Sequence, residues 1–163
     1  MEDILQTTAV FSSDEVNVAL ELFDETYGAA AASAGALSSD SAAGNDYTFV
    51  GAFTPDDELA GYACYGPTPG TDRTFDLYWI AVDPRRHGTG SGTAILTEVE
   101  RSLEAQRARV LIVETSSRSD YAPTRRFYER RGYEVAARLR DFYAPGDDRV
   151  IFSKRFPQGV AVP

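Results

Sequence analysis

The period of apolar and polar positions changes several times along the chain, and each change marks an element. Phe11-Ser12-Ser13-Asp14-Glu15-Val16 reads as a helix start, with Ser12 and Glu15 at capping-box spacing and Phe11 placed to staple onto Val16. Val16, Leu20 and Phe23, with Ala19 beside them, give one apolar stripe to about Tyr27. Residues 28–46 lose the pattern: fifteen of the nineteen are Ala, Ser or Gly, so the second half reads as a mobile loop. Two β-rich runs, 47–53 and 59–65, flank the turn Thr54-Pro55-Asp56-Asp57 and predict a hairpin. A stiff loop, 66–71, leads to a third strand over 75–82. The period then becomes helical over 92–107, with Ile95, Leu96, Val99 and Leu103 on one face. Residues 110–113 are all apolar, as in a strand covered on both faces. Pro123 and Gly132 bracket another helix, proline just inside its start and glycine just past its end. Strands over 134–143 and 149–154 flank the turn 144–148, and 157–163 is a tail. The expected fold is one mixed α/β (α+β) domain over 1–163.

Composition narrows the function classes. A chain of 163 residues fits a single domain with a sizeable core. One cysteine, Cys64, excludes an internal disulfide and a structural cysteine-based zinc site, and with one histidine, His87, no metal is expected. The net charge of −9 argues against a nucleic-acid partner, whose phosphates it would repel. No apolar run approaches 18 residues, so no membrane span is expected. The acidic start Met1-Glu2-Asp3 is unlike a signal peptide, which makes the cytoplasm the expected compartment.

The chemistry concentrates after the third strand, in Val82-Asp83-Pro84-Arg85-Arg86-His87-Gly88-Thr89-Gly90-Ser91-Gly92-Thr93. A strand runs into a proline turn, then three glycines at alternate positions, then a helix. Glycines admit close backbone approach, and the first helical N–H groups lack internal acceptors, so the turn suits an anion. A Walker loop needs Lys-Ser/Thr after its last glycine, whereas Thr93-Ala94 follows here. The dinucleotide fingerprint fails because Gly88 and Gly90 are followed by Thr93.

This segment resembles the signature of the GNAT superfamily of acetyl-CoA-dependent N-acetyltransferases, in which a V-x-P strand end precedes Gln/Arg-x-x-Gly-x-Gly/Ala. His87 stands where that family carries Gln or Arg. A second block, Phe127-Tyr128-Glu129-Arg130-Arg131-Gly132-Tyr133, is similar to the family's F-Y-E-x-x-G-F/Y, and Tyr121 replaces the asparagine usual seven residues earlier. The resemblance covers roughly 47–154. It implies a mostly antiparallel central sheet with helices on both faces. The family opens with a strand, but residues 1–8 read as helix or coil, so the first edge strand is expected to be missing or vestigial.

The resemblance also implies roles. Acetyl-CoA is the expected co-substrate. Gly88, Thr89, Gly90, Ser91, Gly92 and Thr93 would take its pyrophosphate on backbone amides, with His87 and Tyr121 adjoining. Arg85 and Arg86 are candidates for its phosphates, and the backbone of Ile80, Ala81 and Val82 for the pantetheine arm. Tyr128 matches the family's general-acid tyrosine. A free tyrosine titrates near 10 against about 8.5 for a thiol, so hydrogen bonding to the developing thiolate is the better role. Asp76, six residues before Val82, and Glu114 are the candidate carboxylates serving the amine. Tyr62, Tyr65, Tyr78, Tyr121 and Tyr143 are candidate pocket walls, with Asp141, Asp147 or Asp148 attracting a cationic small-molecule amine. A homodimer is a possible assembly. The competing readings are a non-catalytic acyl-CoA-binding module and a protein N-acetyltransferase.

Overall fold

The computed structural model describes residues 47–158. The expected N-terminal helix, the 28–46 stretch, the question of a first edge strand and residues 159–163 lie outside them. Within them a six-stranded sheet has the order β1-β2-β3-β4-β6-β5. The strands are β1 (Thr48–Phe53), β2 (Leu59–Pro67), β3 (Thr74–Val82), β4 (Val110–Ser116), β5 (Glu134–Ala144) and β6 (Asp147–Arg155). Helix α1 is Ser91–Ala105, and α2 is Ala122–Glu129. This is the mixed α+β architecture expected, though five of the six strands are longer than the alternation alone indicates, β4 and β6 by the most. β4 continues three residues past Val113, and β6 starts at Asp147 because the turn before it is shorter than 144–148.

The described residues form two compact units, 47–64 with Ile80–Leu96 and Tyr65–Trp79 with 97–158. In the first, Pro55-Asp56-Asp57 closes the hairpin, with the Thr54 amide donating to the Glu58 carbonyl at 2.8 Å. The ring of Tyr62 stacks on that of Phe49 at 6.4 Å. Gly61 is required by space: a Cβ there would meet the Ala81 carbonyl oxygen at 2.6 Å and Val82 Cα and Ile95 Cδ1 at 3.0 Å. The Asp83 amide donates to the Ala60 carbonyl at 2.9 Å. Ile95 and Leu96 are fully buried.

In the second unit, β3 runs parallel to β4 from Thr74↔Val110 to Leu77↔Val113, and β4 pairs antiparallel with β6 along its whole length. The ladder to β3 stops at Val113, so Glu114–Ser116 continue with β6 as their only paired neighbour in that register. Alternation sorts the side chains. Phe75, Leu77, Leu111, Val113, Thr115, Val150 and Phe152 share one face, and all are buried. Asp76, Tyr78, Ile112, Glu114, Arg149 and Ile151 share the other, and all are half-buried or exposed. Among the described residues the first face is the more closed and the second the more open, with Ser116 of the second buried at the end of β4.

Both helices bear on the closed face. Glu100 of α1 accepts from Lys154 Nζ and from the Tyr133 hydroxyl, each at 2.8 Å, and the Tyr65 hydroxyl and Ser102 Oγ are 2.8 Å apart. α1 ends in a left-handed residue, Arg107 at φ +57°, with the Ala108 amide bonded to the Leu103 carbonyl. α2 has proline in its first turn and Gly132 at φ +78° beyond its end, as its sequence implies.

The Gly61 contact gives a stability prediction. Gly61→Ala forces β2 and β3 apart or bends Ile95 out of its rotamer, an overpacking cost of about 1–3 kcal/mol. Urea unfolding should show a lower midpoint with an unchanged slope, and a wild-type midpoint would contradict it.

Candidate active site

The glycine turn is built from the end of β3 outward. Asp83 is 5 % exposed and caps the 3-10 turn Pro84–Arg86, its Oδ1 accepting the Arg85 amide at 2.8 Å. The Arg85 guanidinium grips the same carboxylate, with Nη2 at 2.6 Å from Oδ2. The Arg85 side chain and then its amide hold the Asp83 carboxyl below the usual carboxylate range. Arg85, expected at a CoA phosphate, therefore has an acidic partner within the turn, and Arg86 reaches Glu58 at 3.8 Å.

Past that turn the backbone needs glycine. Gly88 and Gly90 have φ of +78° and +92°, and a Cβ at either would meet nothing within 4 Å, so conformation rather than crowding selects them. Thr89 Oγ1 donates to the Arg86 carbonyl at 2.7 Å and lies 2.9 Å from Ser91 Oγ. α1 begins at Ser91 with no acidic residue in its first turn, so nothing offsets the positive end of its dipole. His87 does not project from the turn as a free imidazole. Its Nε2 lies 3.1 Å from the Val82 carbonyl oxygen, and since that oxygen only accepts, Nε2 carries the hydrogen in this contact. Ile80, Ala81, Val82, His87 and residues 88–93 thus lie together in the first unit.

The remaining expected groups fall in the second unit, on opposite faces. Tyr128 is 2 % exposed, with its ring 5.9 Å from Phe152, 5.4 Å from Tyr133 and 5.3 Å from Phe127. That burial pushes its phenol up, so it is neutral at every physiological pH. Phe152 lies across from Val113, which puts Tyr128 on the closed face. Asp76 and Glu114 stand on the open one. Neither is a bare carboxylate: Asp76 Oδ2 accepts from Thr68 Oγ1 at 2.7 Å, and Glu114 is ion-paired with Arg149, whose guanidinium lies 4.8 Å above the Phe142 ring. Tyr121 ends the 3-10 turn Ser119–Tyr121, with the Arg118 guanidinium 5.3 Å from its ring.

Several expected pocket groups are corrected. Tyr62 and Tyr65 are core residues, 2 % and 1 % exposed, because both faces of β2 are covered. Tyr65 spends its hydroxyl on Ser102, while the Tyr62 hydroxyl is buried without a partner. Asp147 and Asp148 are not free acids awaiting a cation. Asp147 Oδ1 accepts from Ser116 Oγ at 2.5 Å and the Ser117 amide at 3.1 Å. Asp148 accepts from the Asp141 amide at 2.9 Å and Arg138 Nε at 2.5 Å, and these hold its carboxyl low. Asp141, at φ +52°, accepts the Gly146 amide and closes the hairpin tip. Tyr78 and Tyr143 are exposed.

Sequence reading missed the hydroxyl pair Ser116-Ser117 and Arg125. Arg125 Nη1 donates to the carbonyls of Ser116 and Arg118 at 2.6 and 2.9 Å. The only signal was the run of small polar residues after β4, which also fits an ordinary loop.

The strand that ends in a glycine turn opening a helix lies in the first unit, and the buried tyrosine of α2 lies in the second. The family model for the acetyltransferase (GNAT) family matches residues 16–133. The chain belongs to the GNAT family of acetyltransferases. A crystal structure assigned to that family, from Desulfovibrio desulfuricans, is 44 % identical and covers 94 % of this chain and 88 % of its own, with a TM-score of 0.80. The fold is shared with an aminoglycoside 6'-N-acetyltransferase complexed with coenzyme A (16 % identity, 97 % and 90 % covered, TM-score 0.70). It is shared also with the ribosomal-protein-S18-alanine N-acetyltransferase of Escherichia coli (22 % identity, 74 % and 76 % covered, TM-score 0.64). No curated protein matches the chain. Among the described residues, no helix is long and apolar enough to cross a membrane.

The Asp83 clamp predicts a pH dependence. Its carboxyl titrates lower folded than unfolded, so its contribution is complete above the ordinary carboxylate value near 4 and is lost as pH falls through the lower folded value. The difference in thermal midpoint between wild type and Asp83→Asn should stay constant above about pH 5 and shrink below about pH 4. A difference that grows on acidification would refute the clamp.

Proposed function

We propose that the chain is an N-acetyltransferase that moves an acetyl group from acetyl-CoA directly to the amine of a small molecule. The observation that carries this reading is the glycine turn: two positive-φ glycines, open space around them, and a helix start without acidic residues, in a chain of the GNAT family. The residues present fit the co-substrate. Backbone amides of 88–93 would hold the pyrophosphate, Arg85 and Arg86 its neighbouring phosphates, His87 and Tyr121 would adjoin it, and Ile80, Ala81 and Val82 would offer strand backbone to the pantetheine arm. Acetyl-CoA supplies an activated thioester.

The chain's own residues then have two tasks. A carboxylate on the open face of the second unit, Asp76 or Glu114, draws the proton from the amine, directly or through water. Tyr128, kept neutral by burial, donates a hydrogen bond toward the departing thiolate. The lone hydrogen bond on Asp76 leaves it the freer of the two carboxylates, whereas Glu114 must share with Arg149. The compartment is proposed as cytoplasmic and the partner as a small amine.

The near-complete enclosure of Tyr128 favours one second reading, a module that binds acyl-CoA without turnover. An acetyl-CoA assay over a panel of amines, following free thiol, separates the two: no thiol release with tight acetyl-CoA binding supports the second.

Two variants divide the roles. Tyr128→Phe keeps the ring packing and removes the hydroxyl, so turnover should fall about 10²- to 10³-fold with acetyl-CoA affinity little changed. Gly90→Ala puts a side chain on a positive-φ backbone, at about 1 kcal/mol or more, and should weaken acetyl-CoA binding by calorimetry. Wild-type turnover in Tyr128→Phe, with chemistry rate-limiting, would reduce the tyrosine to a packing residue.

A further inference from the structure

The densest buried polar cluster lies outside the groups that the transfer reading uses. Ser116 and Asp147 are each 8 % exposed. The Ser116 hydroxyl donates to Asp147 Oδ1 at 2.5 Å and accepts from the Arg118 amide at 3.0 Å. Asp147 Oδ1 also takes the Ser117 amide. Ser117 is held a second time, its amide donating to the Asp148 carbonyl at 2.9 Å and its Oγ accepting the Asp148 amide at 2.8 Å. A carboxylate this buried is costly unless it is hydrogen-bonded, and here its donors come from Ser116, the last residue of β4, and from Ser117 in the turn just after it.

The turn in turn grips α2. By closing on the Arg118 amide, Ser116 brings the carbonyls of residues 116 and 118 within reach of one Arg125 nitrogen, at 2.6 and 2.9 Å. The Arg118 carbonyl also accepts the Tyr121 amide, which starts the helix. α2 is thus tied to β6 at two points: near its start through Arg125, the turn and Asp147, and near its end through Tyr128 against Phe152. One point leaves a helix of eight residues able to roll; two fix its rotation, and with it the direction of the Tyr128 hydroxyl.

We propose that Ser116 and Asp147 are positioning residues that set the rotation of α2 and act on acetyl transfer through Tyr128. This rests on the acetyltransferase reading above. A displacement of about 1 Å at a reacting group costs up to roughly 10²-fold in rate, so losing the first tie should slow transfer 10- to 100-fold.

The test is a double-mutant cycle with two readouts. Ser116→Ala should lower kcat with the acetyl-CoA KM little changed, and Ser116→Thr, which restores the hydroxyl, should recover it. Introduced into Tyr128→Phe, Ser116→Ala should cost little further, because the group it positions is already gone. Asp147→Asn should behave like Ser116→Ala; if it fails to fold, the serine variants decide alone. A folded Ser116→Ala at the wild-type rate, or a full additional loss in the Tyr128→Phe background, overturns the inference. Amide hydrogen exchange over 119–126 gives the second readout and needs no turnover. It should quicken in Ser116→Ala, and unchanged exchange overturns the inference. A wild-type chain that acetylates no amine overturns the transfer reading instead, and the exchange result still decides whether the turn holds α2.

Discussion

The parallel pairing of β3 with β4 is the constraint from which the rest of the site follows. Two parallel neighbours cannot be joined by a tight turn, so the chain must leave the sheet at Val82 and return at Val110 through a crossover. A crossover helix begins at the carboxyl end of the strand before it, which is where helical N–H groups and a positive dipole end become available to an anion. The glycines at 88 and 90 then settle a local problem: the backbone enters the helix through two positive-φ positions, which only glycine adopts without strain. The four-residue register from Thr74 to Leu77 is therefore the origin of the glycine turn as well as of the sheet.

The polar interior of the second unit shows how acidic residues are kept in a fold of this size. Asp147 and Asp148 are consumed by amides, hydroxyls and Arg138, and Glu100 by Tyr133 and Lys154. Each group is stabilised as an acceptor of several donors rather than as half of an isolated ion pair. That arrangement suits partly buried carboxylates, whose desolvation a single salt bridge seldom offsets. The exposed pairs, such as Arg101 with Glu98, contribute little by comparison.

How far the sequence carried these features depended on their range. Elements set by local rules were legible: the hairpin around Pro55, α1 with its Ile95-Leu96-Val99-Leu103 stripe, and α2 between Pro123 and Gly132. The glycine turn was legible because glycine marks the positive-φ backbone found at 88 and 90. The tyrosines of β2 were misread for a definite reason. Alternation tells that Tyr62 and Tyr65 lie on opposite faces, but not that both faces are covered, and that depends on residues distant in the chain. The same holds for Ser116 and Arg125, whose partners are 31 residues away on β6 or on carbonyls that no side-chain pattern reveals. Asp147 and Asp148 suit a cation when read as part of the turn 144–148, and only the fold brings Ser117 to them.

The division of the second unit into a closed and an open face bears on how direct transfer would work. In the proposed reaction one proton leaves the amine while a hydrogen bond forms at the departing sulfur. A single group placed between them would have to be base and donor at once, with conflicting demands on its pKa. Here the candidates are separated by β4 itself. Tyr128 sits among Phe152, Tyr133 and Phe127, where burial keeps it protonated. Asp76 and Glu114 sit on the more open face, Asp76 half-buried and Glu114 exposed. Strand alternation thus sets two opposite environments one residue apart, at Val113 and Glu114. The β3 ladder ends between these same two residues, so Glu114–Ser116 keep β6 alone as a paired neighbour. In the proposed reaction β4 would therefore keep the proton acceptor and the hydrogen-bond donor on opposite faces.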